Sequence, residues 1–134
     1  MDEGPPAGSG SSPALSIDTA VHGEHTLVSI AGEIDVGSVG GLRAALSRLL
    51  VDGDVHVLLD LAGVTFMDSA GLGVLVGIQK QARIFRGSLA IVAPSRPVRR
   101  ILELTSLDRV FRCCDTLAEA LGQAGEERRE PVLD

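Results

Sequence analysis

The stretch from Phe66 to Gly73 contains the residues of this sequence that are best placed to do chemistry. It reads Phe-Met-Asp-Ser-Ala-Gly-Leu-Gly, so the hydroxyl of Ser69 directly follows the carboxylate of Asp68. A helical pattern follows this pair, and we therefore predict that Asp68 caps a helix and that Ser69 begins it. Unpaired N–H groups and the helix dipole at that position would accommodate a phosphate on the hydroxyl. The alternative interpretation is that both residues only cap the helix.

The residues around Ser69 do not complete a catalytic or cofactor site. Ser69 has no identifiable histidine partner, and the sequence lacks the G-x-S-x-G turn of many hydrolases. A dinucleotide-binding motif would need glycine at Val76, so we interpret Gly71, Gly73 and Gly77 as close-packing positions in a helix. No metal-ligand spacing relates the three histidines, His22, His25 and His56. We predict no enzyme activity, no cofactor and no metal.

The overall charge argues against nucleic acid as a partner. The chain carries 18 acidic and 12 basic residues, which gives a formal net charge of −6. That charge disfavours binding of nucleic acid or anionic lipid through a broad basic face. Arg96, Arg99 and Arg100 could form a small basic patch, although such a cluster is more typical of a solvated helix face.

The cysteines and the hydropathy pattern indicate the cellular location of the chain. Cys113 and Cys114 are adjacent, and neighbouring cysteines rarely bridge each other because the geometry is strained. Reduced thiols and the lack of a secretory signal predict a cytoplasmic location. The longest apolar runs are far shorter than the ~18 residues of a membrane span, so we predict none.

The composition divides the chain into one domain with two tails. Residues 1–13 are rich in glycine, proline and serine, and they contain too few apolar side chains to be buried. Charged residues from Glu126 to Glu130 precede Pro131 near the other end. We predict a disordered tail over 1–13, a domain over 14–124 and a flexible tail over 125–134.

Within the domain, strand-like and helix-like patterns alternate. The predicted strands are Ser16–Val21, Thr26–Ala31, Val55–Leu61, Leu89–Ala93 and a short edge strand at Val110–Arg112. Ala62–Met67 is predicted to be a connection. Helices are predicted to follow Ser38, to run from Ser69 to about Phe85, to begin around Pro97, and to follow the capping box of Thr116 and Glu119. This order predicts an α/β fold with a mixed sheet of four or five strands and helices mainly on one side.

Two segments resemble the signature of the STAS domain, the fold of bacterial anti-sigma factor antagonists. Phe66–Gly73 is similar to the family pattern Asp-Ser-(Ser/Ala/Thr)-Gly-Leu, and Gly32-Glu33-Ile34-Asp35 is similar to Gly-(Glu/Asp)-(Leu/Ile)-Asp. A weaker match covers Leu102–Phe111, where Ser106 replaces the usual glycine and puts the local turn in doubt. The resemblance extends over about Ala14–Leu121.

The resemblance implies a regulatory switch. Ser69 would accept phosphate from a partner kinase, and Ala70 replaces the second hydroxyl that some members have. Asp35 would lie near Ser69 and contribute to partner binding; the alternative interpretation is a loop residue that caps the next helix. The partner-binding residues implied by the motifs are Asp35, Asp68, Ser69, Ala70, Gly71 and Leu72.

The expected function is antagonism of an anti-sigma factor. The unphosphorylated chain would bind an anti-sigma factor serine kinase and release a sigma factor. Phosphorylation of Ser69 would inactivate it, and a phosphatase would act on phospho-Ser69. The alternative is a STAS subunit of a lipid-trafficking, transport or stress-sensing complex.

Overall fold

The computed structural model describes residues 15–122, which form five strands and four α-helices. The strands are β1 (Leu15–His22), β2 (His25–Ile34), β3 (His56–Met67), β4 (Ser88–Val92) and β5 (Arg112–Cys114). The helices are α1 (Val39–Val51), α2 (Ser69–Ile84), α3 (Arg96–Leu104) and α4, which covers residues 117–122 of the described part. The predicted tails, 1–13 and 125–134, lie outside the described residues.

The strands form one mixed sheet in the order β1-β2-β3-β4-β5. β1 and β2 are antiparallel and form a hairpin, whose turn contains Gly23 at a φ of 64°. All other neighbours are parallel, so each connection between them includes a helix. The carboxyl ends of β2 and β3 therefore meet at one edge of the sheet, where α1 and α2 begin. The predicted α/β fold with a mixed sheet is confirmed.

Both faces of the sheet are covered, but unequally. Along β3, Val57, Leu59 and Leu61 pack in the main core with side chains of α1, α2 and α3. Leu58, which points to the opposite face, packs in a smaller cluster with Ala120 of α4. Three helices thus lie on one face and the short α4 on the other, in agreement with the prediction of helices mainly on one side.

The prediction that Ala62–Met67 is a connection is wrong, because β3 continues through it. The long strand β2 supplies pairing partners as far as the last residues, with Ala31 opposite Gly63 and Ile34 opposite Met67. A side chain at Gly63 would clash with Ala31, since a Cβ there would lie 2.8 Å from the Cβ of Ala31. Because this segment contains several exposed residues and a glycine, its sequence lacks the apolar pattern that predicts a strand.

The short edge strand lies two residues later than predicted. It covers Arg112–Cys114, while the N–H groups of Val110 and Phe111 donate to the carbonyl of Leu107 at 2.9 and 3.0 Å. Those bonds close a 3₁₀ turn over Leu107–Arg109 and remove both residues from the strand. Ser106 keeps the turn that the family builds with glycine, because it adopts the left-handed conformation at φ 61° and ψ 15°.

The two cysteines are on β5 and form no disulfide in the part of the chain described. Cys114 is buried and Cys113 is half-buried. Burial raises the pKa of both thiols, so they are protonated near neutral pH. No helix among residues 15–122 is long and apolar enough to span a bilayer.

Candidate functional site

Two strand-to-helix junctions meet at the carboxyl edge of the sheet. Ile34 and Met67 are the last paired residues of β2 and β3, and Asp35 and Asp68 directly follow them. The backbone N–H of Asp68 donates to the carbonyl of Ile34 at 3.2 Å, which ties one junction to the other. The structure therefore brings Asp35 to the same edge as Ser69, which is the next residue after Asp68.

Asp68 is the N-cap of α2, as the sequence predicts. Its backbone is extended, and Oδ1 accepts hydrogen bonds from the N–H groups of Ala70 at 2.9 Å and Gly71 at 3.3 Å. This arrangement satisfies two of the N–H groups that an α-helix leaves unpaired at its start. Those two groups are consequently not available to a phosphate on Ser69.

Ser69 is the first residue of α2 and its side chain is exposed. Ala70 is half-buried, whereas Gly71 is buried and Leu72 is only 7% exposed. A Cβ on Gly71 would lie 2.7 Å from Cγ2 of Ile34 and 2.8 Å from Cγ of Met67. Gly71 and Leu72 therefore pack α2 against the strand ends, and their burial leaves little of either to contact a partner.

The other two glycines of the motif region do not fit our interpretation. A Cβ on Gly73 or Gly77 would meet no atom within 4 Å, so neither is a close-packing position. Both residues are exposed, because they lie on the side of α2 that faces away from the core. Only Gly71 has the role that the sequence suggested for all three.

The Asp35 junction is a hydrogen-bonded loop that precedes α1. Oδ1 of Asp35 accepts from the N–H of Gly37 at 3.0 Å, so the carboxylate shapes the loop and does not cap the helix. Ser38 occupies the N-cap position but makes no capping bond with its side chain. Its Oγ instead accepts from the N–H of Asp35 at 3.0 Å and donates to the carbonyl of Glu33 at 2.9 Å. These three hydrogen bonds tie the loop to itself and to the end of β2.

Two exposed apolar side chains flank these acidic residues, and the sequence analysis missed both. Val36 follows Asp35 and is 79% exposed, and Phe66, two residues before Asp68, is 47% exposed. Phe66 lies inside one motif and Val36 directly follows the other, but an apolar residue in or next to a strand is ordinarily a core residue. We call the set Asp35, Val36, Phe66, Asp68 and Ser69 the carboxyl-edge surface.

The histidines lie at the other edge of the sheet. His22 pairs with His25 across the hairpin, and the rings of His25 and His56 are 5.9 Å apart between centroids. Nδ1 of His56 is 2.9 Å from Oγ of Ser88. Within residues 15–122, no group of three or more His, Cys, Asp or Glu side chains is arranged to hold a metal ion.

Comparison with known proteins gives a consistent result. The family model described as the STAS domain matches residues 16–120. The anti-sigma-F factor antagonist RsfB of Mycobacterium tuberculosis is 30% identical over 109 residues, which cover 81% of this chain and 88% of RsfB. The anti-sigma-B factor antagonist of Staphylococcus epidermidis is 34% identical over 93 residues, covering 69% of this chain and 86% of that protein.

The fold agrees with a solved structure as well. The crystal structure of an anti-sigma factor antagonist from Mycobacterium paratuberculosis superposes with a TM-score of 0.75 at 30% sequence identity. The match covers 84% of this chain and 97% of that one.

Proposed function

This chain belongs to the STAS domain family, among the anti-sigma factor antagonists, and on that premise we propose that it binds an anti-sigma factor serine kinase. Binding of the kinase releases a sigma factor, and phosphorylation of Ser69 ends this binding. The observation that carries the proposal is the exposed hydroxyl of Ser69, placed directly after a capping carboxylate and at the same edge as Asp35. A relay of this kind belongs in the cytoplasm, where sigma factors act.

The carboxyl-edge surface has the composition of a protein-binding site. Val36 and Phe66 offer exposed apolar area, and burying such area contributes about 25 cal/mol per Å². Exposed aromatic side chains are frequent anchors in interfaces. Asp35 and Asp68 add negative charge, and so does Glu33, which pairs with Phe66 across the strands. We therefore propose that the kinase presents positively charged groups to this surface.

A phosphate on Ser69 would act on the interface and leave the fold intact. It adds roughly −1.5 to −2 charges at neutral pH. The carboxylate of Asp68 already accepts from the N–H groups of Ala70 and Gly71, so the phosphate would remain outward, next to Asp68 and at the same edge of the sheet as Asp35. Burying an unpaired charge costs several kcal/mol, of which ~2.7 kcal/mol corresponds to a hundredfold loss of affinity. We expect the kinase affinity to fall at least that far.

Titration calorimetry against the cognate kinase tests this function. Unmodified protein and Ser69→Ala should bind with similar affinity, whereas protein phosphorylated on Ser69 should bind about a hundredfold more weakly. Ser69→Asp should lie between them, since one carboxylate carries less charge than phosphate. Circular dichroism should show the same fold in every form. Equal affinity of phosphorylated and unmodified protein would contradict the switch.

A matched variant separates position from charge. Thr19 is an exposed hydroxyl residue on β1, away from the carboxyl edge. Thr19→Asp adds the same charge as Ser69→Asp, and we expect it to leave the kinase affinity unchanged.

Reversal of the switch requires a phosphatase that removes the phosphate from Ser69. Intact-mass measurement on phosphorylated protein incubated with host lysate should detect loss of the phosphate.

A further inference from the structure

One edge of the sheet is a long strand whose outer side has no partner strand within residues 15–122. This strand is β1, and all eight of its residues pair one to one with β2, without a bulge. The opposite edge is β5, which has only three residues. An edge strand exposes a row of backbone N–H and C=O groups that can pair with a further strand. β1 therefore offers the longer pairing surface of the two edges.

The hairpin determines which backbone groups of β1 point to the open side. His22 and His25 flank a two-residue loop, and the two residues that close such a loop exchange hydrogen bonds. Bonding alternates along an antiparallel strand, so every second residue counted back from His22 bonds to β2. The residues between them direct their N–H and C=O groups outward, and these are Leu15, Ile17, Thr19 and Val21.

The side chains of these four outward-bonding residues share the face of the sheet that carries α1, α2 and α3. Ile17 lies opposite Ile30 and packs against the main core. Val21, near the end of the strand, is 74% exposed. Natural edge strands are commonly protected from further pairing by lysine, proline or a bulge, and β1 contains none of these. The edge is thus open and partly apolar.

We propose that β1 pairs with β1 of a second copy of this chain, antiparallel about a two-fold axis at Thr19. An axis at Asp18 would place two carboxylates directly opposite each other, which is destabilising. An axis at Ile17 or Ala20 would pair a shorter segment of the strand. The axis at Thr19 avoids the like charges and pairs the whole segment Ser16–His22.

This arrangement also accounts for the exposed valine. It places Val21 of each copy opposite Ile17 of the other copy, and Thr19 opposite Thr19, in pairs that exchange hydrogen bonds and bring side chains of matching type together. The two five-stranded sheets become one continuous sheet. Because the paired strands are antiparallel, the two carboxyl-edge surfaces lie at opposite ends of the dimer, and each stays open to a partner.

Sedimentation equilibrium of the full chain, from micromolar to millimolar concentration, tests the proposal. A single strand pair buries less surface than a standard interface, so we expect a reversible dimer whose fraction rises with concentration. Val21→Lys places a charge opposite Ile17 and should weaken dimerisation about tenfold or more. Val110→Lys changes a valine that is 50% exposed and lies beside β5 at the other edge, and it should leave dimerisation unchanged.

Nuclear Overhauser effects between methyl groups test the register. Ile17 and Val21 are separated by about 13 Å along one strand, too far for such an effect within a single copy. In a mixture of isotope-labelled and unlabelled protein, we expect a cross-peak between the methyl groups of Ile17 and Val21 from different copies. We also expect the amides of Ile17, Thr19 and Val21 to exchange more slowly with solvent as the dimer fraction rises.

Several outcomes would overturn the proposal. A mass that stays monomeric at all concentrations would do so, and so would a dimer that Val110→Lys dissociates and Val21→Lys does not. If the outward amides of β1 are protected in the monomer, the chain itself covers this edge. Thr19→Asp places two carboxylates at the axis, and it should dissociate the dimer without changing kinase affinity. Failure of the dimer is therefore distinguishable from failure of the proposed function.

Discussion

The two strand-to-helix junctions at the carboxyl edge both begin with an aspartate, but the two aspartates have different structural roles. Each starts with an aspartate directly after the paired strand ends Ile34 and Met67. At Asp68 the helix begins with the next residue, and the carboxylate caps it. At Asp35 three residues precede α1, and the carboxylate bonds within that loop. The same residue type at equivalent places thus stabilises a helix in one case and shapes an exposed loop in the other.

The residues that follow each aspartate account for the difference. Ser69, Ala70 and Gly71 are small, so α2 can begin at once and pack closely on the strand ends. After Asp35, the hydroxyl of Ser38 is bonded to Glu33 and Asp35, and it cannot cap α1. From this comparison we expect the carboxylate of Asp68 to contribute mainly to stability, and we propose that the carboxylate of Asp35 contributes mainly to partner binding.

The largest expected effect is at the contact that joins the two junctions. Gly71→Ala places a Cβ within 3 Å of both Ile34 and Met67, so we expect the free energy of unfolding to fall by about 1–2 kcal/mol. Gly73→Ala, two residues later in open space, should instead raise it by about 0.5–1 kcal/mol through helix propensity. Urea denaturation measures both. If the two substitutions change the free energy of unfolding equally, the close contact of a Cβ at position 71 with Ile34 and Met67 does not destabilise the protein.

A smaller effect is expected from removal of the cap. Asp68→Ala leaves the N–H groups of Ala70 and Gly71 without their acceptor, and we expect a loss of about 1 kcal/mol in the free energy of unfolding. Asp68→Asn keeps an oxygen acceptor and should retain most of the stability. If the two variants unfold at the same urea concentration, the capping bonds do not contribute as described.

The smallest effect on stability is expected at the loop. Asp35→Ala removes one bond to Gly37 in an exposed turn, so the free energy of unfolding should change by less than about 0.5 kcal/mol. Kinase affinity should nevertheless fall several-fold in calorimetry, because we propose that this carboxylate contacts the partner. A clear loss of stability with intact binding would reverse the assignment of the two junctions.

The sequence predicts local features of the site well. The cap at Asp68 depends on a side chain and the N–H groups two and three residues later, so a short pattern contains it. The order of elements likewise follows from local periodicity. Gly71, Gly73 and Gly77 are glycines of the same helix, and a local pattern does not distinguish them. Gly71 differs because Ile34 and Met67 pack against it.

Features that depend on distant residues escaped prediction. The second half of β3 is a strand because β2 pairs with it, not because its own residues alternate. Val36 and Phe66 are apolar, and their type indicates the core unless the positions of neighbouring elements are known. In each case the deciding partner is remote in sequence, and a pattern within one segment does not contain it.

The unequal lengths of β3 and β4 divide the sheet into a zone where β3 pairs on both sides and a zone where it pairs with β2 alone. Pairing with β4 ends at Asp60, so the segment up to Met67 shares its ladder with β2 alone. The N–H of Ser95 adds one bond to the carbonyl of Leu61 at 3.2 Å, near the base of this two-stranded ribbon. We expect the amides of this ribbon to exchange with solvent through local opening, at a lower free energy than those of the central sheet. The carboxyl-edge surface lies at the tip of this ribbon. Because Ile34, Val64 and Met67 of the ribbon belong to the main core, we expect a rearrangement at the tip to reach the core through these side chains and not through β4.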